Sequence, residues 1–227
     1  MDIGIFGATG VIGGAALAEA TARGHRVTAF TRNEARIPAE PGAVTWRVAD
    51  PGDPDSARAA IAGLDVVINA INSGGTIADQ IANADVLPAV ASTLLTALQA
   101  RPATRLLVVG GGGSLEIAPG RRLVDDAAAF EHTLVEVLKV PAEYRKAVLA
   151  NVEVLNLCRL SDRNWTYLSP SAGRIESGPR TGRYRIGGDQ AIFRSEGESD
   201  ITAEDLAVAL LDEVEIPRHI QRRFTVG

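Results

Sequence analysis

The segment Asp2–Gly13, which reads DIGIFGATGVIG, decides the fold because a short apolar run passes directly into closely spaced glycines. Ile3–Phe6 is predicted to be a strand, and an alanine-rich helix is predicted to follow the last glycine. The spacing GxxGxxG places glycine at a tight turn, at the closest approach of a phosphate, and at the contact between helix and strand. Without side chains at Gly7 and Gly10, a pyrophosphate can approach the N–H groups that begin the helix, and Thr9 can add a hydroxyl donor. A plain strand-to-helix turn is the alternative, but the start of a βαβ unit favours dinucleotide binding.

Outward from this segment, β-branched runs alternate with stretches rich in alanine and leucine. The predicted strands are Ile3–Phe6, Arg26–Phe30, Ala43–Arg47, Val66–Ala70, Arg105–Val109 and Trp165–Ser169. Several of these runs are apolar without alternation, as expected when helices cover both faces of a parallel sheet. The pattern predicts an α/β fold with a doubly wound parallel sheet of the Rossmann type.

The second half of the chain adds a helix, a loop region and a final helix and strand. Asp85–Leu98 has the apolar spacing of a helix, with Asp85 as a candidate cap. Residues 170–200 are rich in glycine and hold one candidate strand, Arg183–Ile186. After this small C-terminal insertion, Thr202 is expected to cap a helix through Leu211, and Arg222–Val226 to add a last strand. We therefore expect one domain over residues 1–227, in which 170–200 lies on the substrate side.

Composition excludes several classes of function. The chain has 227 residues, of which 46% are hydrophobic and 22% charged, and a net charge of −5. Such a charge offers no basic surface for nucleic acid or anionic lipid, so neither is expected as a partner. The single cysteine, Cys158, cannot form an intramolecular disulfide, and the start of the chain has neither a signal peptide nor a membrane span. A cytoplasmic protein is expected, while nothing in the sequence sets its oligomeric state.

Two residues bear on which dinucleotide is bound. Arg32 follows the second predicted strand, where a site selective for NAD usually carries Asp or Glu to accept from the ribose hydroxyls. A guanidinium can instead bind a 2′-phosphate in a fork, which favours NADP, with NAD still possible. Asp50 ends the third-strand segment, where it can accept from the adenine amine or cap the Asp53–Ala60 region.

Glycine-rich segments follow the fourth and fifth strands. Asn69–Gly75 and Gly110–Ser114 lie at the carboxyl ends of these strands, where open α/β sheets bind ligands. Four consecutive glycines carry a large entropic cost unless bare backbone is needed, so ligand contact is favoured over a purely structural loop.

These residues resemble the atypical short-chain dehydrogenases/reductases, and among them the NADH-flavin reductase-like proteins related to NmrA-like and flavin/biliverdin reductases. The resemblance spans the whole chain and is carried by Gly7–Gly13, Val108–Gly120 (VVGGGGSLEIAPG), Tyr167–Gly188 (YLSPSAGRIESGPRTGRYRIGG) and Ile201–Leu211. It implies that Pro170 and Ser171 flank the nicotinamide. It further implies a cofactor lining of Gly7, Thr9, Gly10, Val11, Ile12, Arg32, Ala70, Gly110 and Gly111.

The chain departs from this superfamily at the usual YxxxK motif, in which a lysine lowers the pKa of a catalytic tyrosine. Tyr144 begins the helix that normally carries the tyrosine, but Val148 occupies the lysine position. Tyr144 is a residual proton donor, a pocket wall or a core residue, with the last two favoured. Ser114 stands near the usual catalytic serine, although a turn cap explains it equally well. No metal-binding motif is present, and the three histidines are isolated.

The leading hypothesis is an NAD(P)H-dependent oxidoreductase that passes hydride to a flavin, a quinone or a similar conjugated acceptor, which needs no strongly tuned protein acid. A non-catalytic NADP-binding sensor of the NmrA-like type is the alternative, followed by a sugar-nucleotide epimerase or dehydratase. Acceptor specificity is expected in Ser171–Gly188, where Arg174, Arg180 and Arg183 can meet a phosphate or carboxylate, although a solvated basic loop is equally compatible.

Overall fold

The computed structural model describes residues 1–171, 175–192 and 201–227, and its centre is a sheet of eight strands. Strands are β1 Asp2–Phe6, β2 Arg26–Thr31, β3 Thr45–Val48, β4 Val66–Asn69, β5 Arg105–Val109, β6 Glu116–Ala118, β7 Arg121–Arg122, β8 Trp165–Pro170, β9 Ile186–Gly187 and β10 Arg222–Val226. The sheet order is β3-β2-β1-β4-β5-β8-β10-β9, and its pairs are parallel except for β9 with β10. The order reverses between β1 and β4, which places a ligand-binding crevice at the carboxyl ends of these strands.

Helices cover both faces of the sheet. They are α1 Val11–Ala22, α2 Pro54–Ala60, α3 Ile77–Ala82, α4 Val86–Ala97, α5 Ala127–His132, α6 Arg145–Arg159 and α7 Ala203–Glu215. Helices α1 and α7 bury their apolar residues on one face, whereas α2, α4 and α6 pack on the other. A π-helical turn, Thr133–Val137, extends α5. The predicted doubly wound parallel sheet is confirmed.

Some local predictions needed correction. The third strand is Thr45–Val48 rather than Ala43–Arg47, and the strand proposed at Arg183–Ile186 is the two-residue β9, held by its pairing with β10. The antiparallel pair β6–β7 was not predicted, because strands of three and two residues carry too little periodicity to be recognised. Asp85 precedes α4 but makes no capping hydrogen bond through its side chain. The Thr202 side chain does cap α7, by accepting from the N–H of Asp205.

A buried ionic cluster joins α7 to the amino ends of the central strands. Arg105 of β5 pairs with Glu213 of α7, and Glu213 also binds the ring of His219 at 2.7 Å. The Arg105 guanidinium further donates to the Thr166 hydroxyl at 2.7 Å. Burial acts to raise the pKa of Glu213, but hydrogen bonds from the His219 backbone and ring and from Arg105 together hold this pKa below its usual value. Glu213 is therefore an ionised carboxylate inside the fold.

Candidate functional site at the carboxyl edge of the sheet

The glycine turn connects β1 to α1 through a hydrogen bond from the N–H of Gly10 to the carbonyl of Gly7, 2.9 Å long. Gly10 is the N-cap of α1, has no side chain to cap the helix, and is exposed. No side chain at the cap therefore blocks a ligand from reaching the first N–H groups of α1. Such a terminus favours an anion through its partial positive charge and its directed N–H groups.

Glycine is required at Gly7 and Gly13 by conformation and by space. Gly7 has φ +83°, and a β-carbon there would overlap the carbonyl oxygen of Ala70, which follows β4. A β-carbon on Gly13 would lie 2.6 Å from the carbonyl carbon of Gly7 and 3.1 Å from the nitrogen of Ala8. The turn, α1 and the end of β4 thus fit together as backbone against backbone. This bare cradle fits the pyrophosphate of a dinucleotide.

The remaining residues of the turn are reachable from outside. Thr9 and Ile12 are half-buried, and Val11 is exposed. Ala70 is half-buried at the end of β4 and donates its N–H to the carbonyl of Phe6 at 3.0 Å. The structure therefore brings the predicted glycine-turn residues and Ala70 together at the β1–β4 crevice.

Arg32 and Asp50 lie beyond the ends of β2 and β3, on the side of β1 where a Rossmann sheet receives adenosine. Arg32 is exposed, while Asn33 beside it accepts from the N–H of Ala35 and starts a short 3-10 turn. The exposed carboxylate of Asp50 accepts from the N–H of Gly52 at 2.9 Å. The cap of α2 is Asp53, not Asp50, since Asp53 accepts from the N–H of Ser56. Arg32 and Asp50 remain predictions for the adenosine side.

The glycine loop after β5 is packed against α6. A β-carbon on Gly110 would overlap the ring of Tyr167, whose hydroxyl donates to the carbonyl of Asn151 at 2.8 Å. Gly111 faces the side chain of Asn151, with its β-carbon position 3.5 Å from that of Asn151. Burial raises the pKa of Tyr167, which is fully enclosed, so this phenol is neutral. The Tyr167 ring therefore requires glycine at position 110. This packing requirement is separate from any contact with a ligand.

Tyr144 and Val148 occupy the two positions expected for a catalytic tyrosine and its lysine. Val148 fills the space beside Gly113, where a β-carbon would overlap its Cγ1. Tyr144 is half-buried against the core one turn earlier, and its hydroxyl donates to Oε1 of Gln80 at 3.0 Å. Sequence reasoning did not select Gln80, because a glutamine in a short helix carries no distinguishing pattern.

Ser114 is bound by Arg223 of β10. Its hydroxyl and its carbonyl each accept from Nη1 of Arg223 at 2.9 Å, and Ser114 is buried. Arg223 also binds the carboxylate of Asp189. The contact gives Ser114 a structural partner that sequence reasoning did not foresee, since Arg223 is 109 residues away.

Ser171 is also engaged by the fold. Pro170 ends β8, and the buried hydroxyl of Ser171 accepts from the N–H of Ile192 at 2.8 Å and donates to the carbonyl of Ile192. The Ser171 N–H donates to the carbonyl of Val226 at 2.7 Å. The Ser171 side chain thus fixes residues beyond β9, while Pro170 borders the end of β8.

Residues 176–185, which we call the strap, lie along α1 and α7. Arg180 binds Glu19 of α1 with N–O distances of 2.7 and 2.9 Å, and Asp205 of α7 accepts from the N–H groups of Thr181 and Gly182. A groove of about 480 Å³ runs between α1 and the strap. The Arg180 guanidinium therefore has Glu19 as its partner in this structure, and a contact with an acceptor stays a prediction. Arg183 is exposed, and Arg174 lies outside the described residues.

Two further titratable side chains, His25 and Cys158, have structural roles. His25 binds Glu215 at 3.0 Å, and burial raises the pKa of the Cys158 thiol to about 12. Within residues 1–171, 175–192 and 201–227, no group of three or more His, Cys, Asp or Glu side chains is placed to hold a metal ion. Over the same ranges, no helix is long and apolar enough to cross a membrane.

Comparison with known proteins assigns the family. The model of the NAD(P)H-binding family matches residues 7–217, so the chain belongs to this family. Its fold and glycine turn agree with a nicotinamide-dinucleotide-binding, oxidoreductase-like protein.

Three relatives illustrate the match. The uncharacterized protein YwnB of Bacillus subtilis (strain 168) is 36% identical over 227 residues, covering 100% of this chain and 98% of YwnB. A Burkholderia pseudomallei structure, provisionally described as an exported protein, is 37% identical with TM-score 0.81, covering 100% of this chain and 99% of that one. A Streptococcus pneumoniae TIGR4 structure, provisionally described as an NADH-flavin reductase, is 29% identical with TM-score 0.77, covering 100% and 98%.

Proposed function

We propose that the protein is an NAD(P)H-dependent reductase that passes hydride to a flavin, a quinone or a similar conjugated acceptor. The glycine turn would hold the pyrophosphate through Gly7, Thr9, Gly10, Val11 and Ile12, with Ala70, Gly110, Gly111 and Pro170 toward the nicotinamide. Arg32 would bind the 2′-phosphate, which makes NADPH the preferred cofactor and NADH the weaker one. When bound, the cofactor supplies the hydride.

The observation that carries this proposal is that the position four residues after Tyr144 holds a valine and not the lysine of a YxxxK pair. Val148 stands in place of the lysine, and the Tyr144 proton is donated to Gln80 rather than toward a substrate. A carbonyl or alcohol substrate needs a protein acid or base, and removing one typically costs 10²–10⁴-fold in rate. Conjugated acceptors stack on the nicotinamide and take hydride without one, since solvent completes protonation. The chain's part is then to bind, to orient the two rings and to keep them in contact.

The test is an anaerobic assay that follows NADPH absorbance with FMN, with menadione and without acceptor. Oxidation of NADPH only when an acceptor is present supports a reductase. Tight NADPH binding with no turnover of either acceptor favours the alternative, an NADP-binding sensor of the NmrA-like type. A sugar-nucleotide epimerase or dehydratase is the weakest alternative. Those enzymes use a catalytic tyrosine with a lysine, and Val148 occupies the lysine position here.

The proposal includes a small-molecule acceptor as the partner and the cytoplasm as the location. The net charge of −5 favours a small molecule over nucleic acid as the partner, and a single buried cysteine is typical of a reducing compartment. Fractionation of the producing cells tests the location directly, since one relative is provisionally described as exported.

A further inference from the structure

The Arg223 side chain is buried between two loops and uses every donor it has. It is 3% exposed, and each of its five N–H groups has an acceptor. Nη1 donates to the carbonyl and to the hydroxyl of Ser114, both at 2.9 Å. Nε donates to Oδ1 of Asp189 at 2.9 Å, and Nη2 donates to the carbonyl of Asp189 at 3.1 Å and also to Oδ1. The guanidinium fork is therefore divided between one residue of each loop.

Arg223 reaches the loop after β5 from two strands away. It pairs in register with Tyr167 of β8, so the two side chains project from the same face of the sheet. Strand β8 separates β10 from β5 in the sheet order. The Tyr167 ring packs on Gly110, and Arg223 binds Ser114. Neighbouring side chains of β8 and β10 thus hold the two ends of residues 110–114.

Residues 110–114 need such support because four of the five are glycines. Glycine loses more conformational freedom on ordering than any other residue, and it has no side chain with which to pack. Neighbouring elements supply the contacts instead, as Val148 does beside Gly113. The bonds from Arg223 to Ser114 are the polar anchor at the end of this loop.

The same loop borders the place proposed for the nicotinamide. The pyrophosphate cradle lies at the end of β1, β4 is the next strand, and β5 lies beside β4. A dinucleotide that extends from the cradle across the crevice runs over the ends of β4 and β5. Gly110–Gly113 are half-buried, so a ring can reach their backbone.

We infer that Arg223 is a positioning residue for the nicotinamide ring and acts through residues 110–114. Its bonds to Ser114 and Asp189 keep the loop in the conformation that receives the ring. A site that adopts its binding conformation for only a fraction of the time binds more weakly by that fraction. The adenosine and the pyrophosphate lie on the other side of the crevice and do not depend on this loop. The inference rests on the proposed function and adds a residue outside its cofactor lining.

The experiment compares NADPH with 2′-phospho-ADP-ribose, which is the same cofactor without its nicotinamide ring. Each is titrated calorimetrically into the protein with no acceptor present, so turnover does not enter the measurement. In the wild type we expect NADPH to bind about tenfold more tightly, because the ring adds its contacts to those that both ligands share.

Two variants weaken the anchor. Arg223→Met removes the fork but keeps a long side chain, and is expected to weaken NADPH about tenfold while 2′-phospho-ADP-ribose stays within about twofold. Asp189→Ala removes two of the five bonds at an exposed position, so it tests the inference even where Arg223→Met does not fold. We expect it to weaken NADPH about threefold and to spare 2′-phospho-ADP-ribose.

Two controls separate positioning from loss of stability. Arg159→Ala removes the other arginine that contacts Asp189, at 3.4 Å, and is expected to keep the wild-type ratio of the two affinities. Glu213→Gln destabilises the fold at the amino ends of the strands, where it breaks the pair with Arg105. It is also expected to leave this ratio unchanged.

The outcomes separate this inference from the proposed function. A wild-type ratio near one, or an equal effect of Arg223→Met and Asp189→Ala on both ligands, overturns the inference. A loss confined to NADPH in a protein that oxidises NADPH with neither FMN nor menadione supports the inference and contradicts the proposed reductase. A loss confined to NADPH in a protein that does reduce them supports both.

Discussion

Gly13 of α1 lies directly on the carbonyl group of Gly7, with the position of a β-carbon on Gly13 only 2.6 Å from the carbonyl carbon of Gly7. The adjacent Gly14 has more room, since a β-carbon there would lie 3.5 Å from the carbonyl oxygen of Ala8. Of these two neighbouring glycines, position 13 has no room for a β-carbon, whereas position 14 can hold one at ordinary contact distance.

Gly13→Ala is expected to lower the free energy of unfolding by about 3 kcal/mol or more, because backbone must move to admit the methyl group. Gly14→Ala is the matched control and is expected to raise it by about 0.5–1 kcal/mol through helix propensity. Urea denaturation measures both. Similar values for the two variants would contradict the close approach.

Arg32→Ala is expected to weaken NADPH about ten- to a hundredfold, since a charge-assisted contact is worth ~1.5–3 kcal/mol. NADH lacks the 2′-phosphate, so its affinity is expected to stay nearly constant. Calorimetric titration of both cofactors measures the difference. Arg101→Ala removes an exposed arginine that precedes β5, near the amino ends of the strands, and serves as control. Equal weakening of NADPH and NADH by Arg32→Ala would refute the assignment of Arg32.

Tyr144→Phe is expected to leave kcat with saturating acceptor within about tenfold of wild type, because the Tyr144 proton is already donated to Gln80. Steady-state assays under anaerobic conditions measure it, with NADPH affinity as the check on folding. A thousandfold fall in kcat at unchanged NADPH affinity would make Tyr144 a proton donor and reverse this interpretation.

Glu213→Gln is expected to destabilise the protein by about 3–5 kcal/mol, because it leaves the buried charge of Arg105 without its counter-ion. Asp55→Asn breaks the exposed pair with Arg58 and is expected to change stability by less than ~1 kcal/mol. Thermal unfolding of the two variants separates a buried pair from a surface pair. A small effect in Glu213→Gln would show that the cluster relaxes or admits water.

Acid is expected to weaken the attachment of the strap. Hydrogen bonding from Arg180, with further contributions from Arg23, outweighs burial and lowers the pKa of Glu19 from 4.5 to about 2. A lowered native pKa adds stability that is complete above pH 4.5 and is lost as the pH falls through about 2. Over this window the unfolding free energy of wild type should fall more steeply than that of Glu19→Gln. Parallel pH profiles would contradict the ionised pair.

The sheet and the glycine turn were predictable because each depends on local sequence. β-Branched runs, alanine-rich helices and the spacing of Gly7, Gly10 and Gly13 specify the alternation of elements without knowledge of tertiary contacts. The boundaries of β3 and β9 were less accurate, since β9 exists only through its pairing with β10. Strand ends of this kind depend on a partner that the local pattern does not show.

The parts of the site that were missed depend on contacts between distant residues. Gln80 meets Tyr144 across 64 residues, and Arg180 meets Glu19 across 161. Neither pair has a spacing that periodicity or a motif could reveal. The sequence thus predicted which loops meet at the crevice, whereas the partner of each polar side chain required the three-dimensional structure.

The contact between Arg223 and Ser114 sets an order in which the site can be completed. Residues 110–114 follow β5, but their anchor, Arg223 of β10, lies 109 residues after Ser114 in the sequence. During synthesis the glycine turn and its helix emerge before the loop beside the proposed nicotinamide position, and that loop gains its anchor only after a further 109 residues have been made. A nascent chain would thus be able to form the phosphate cradle long before it could align a ring for hydride transfer.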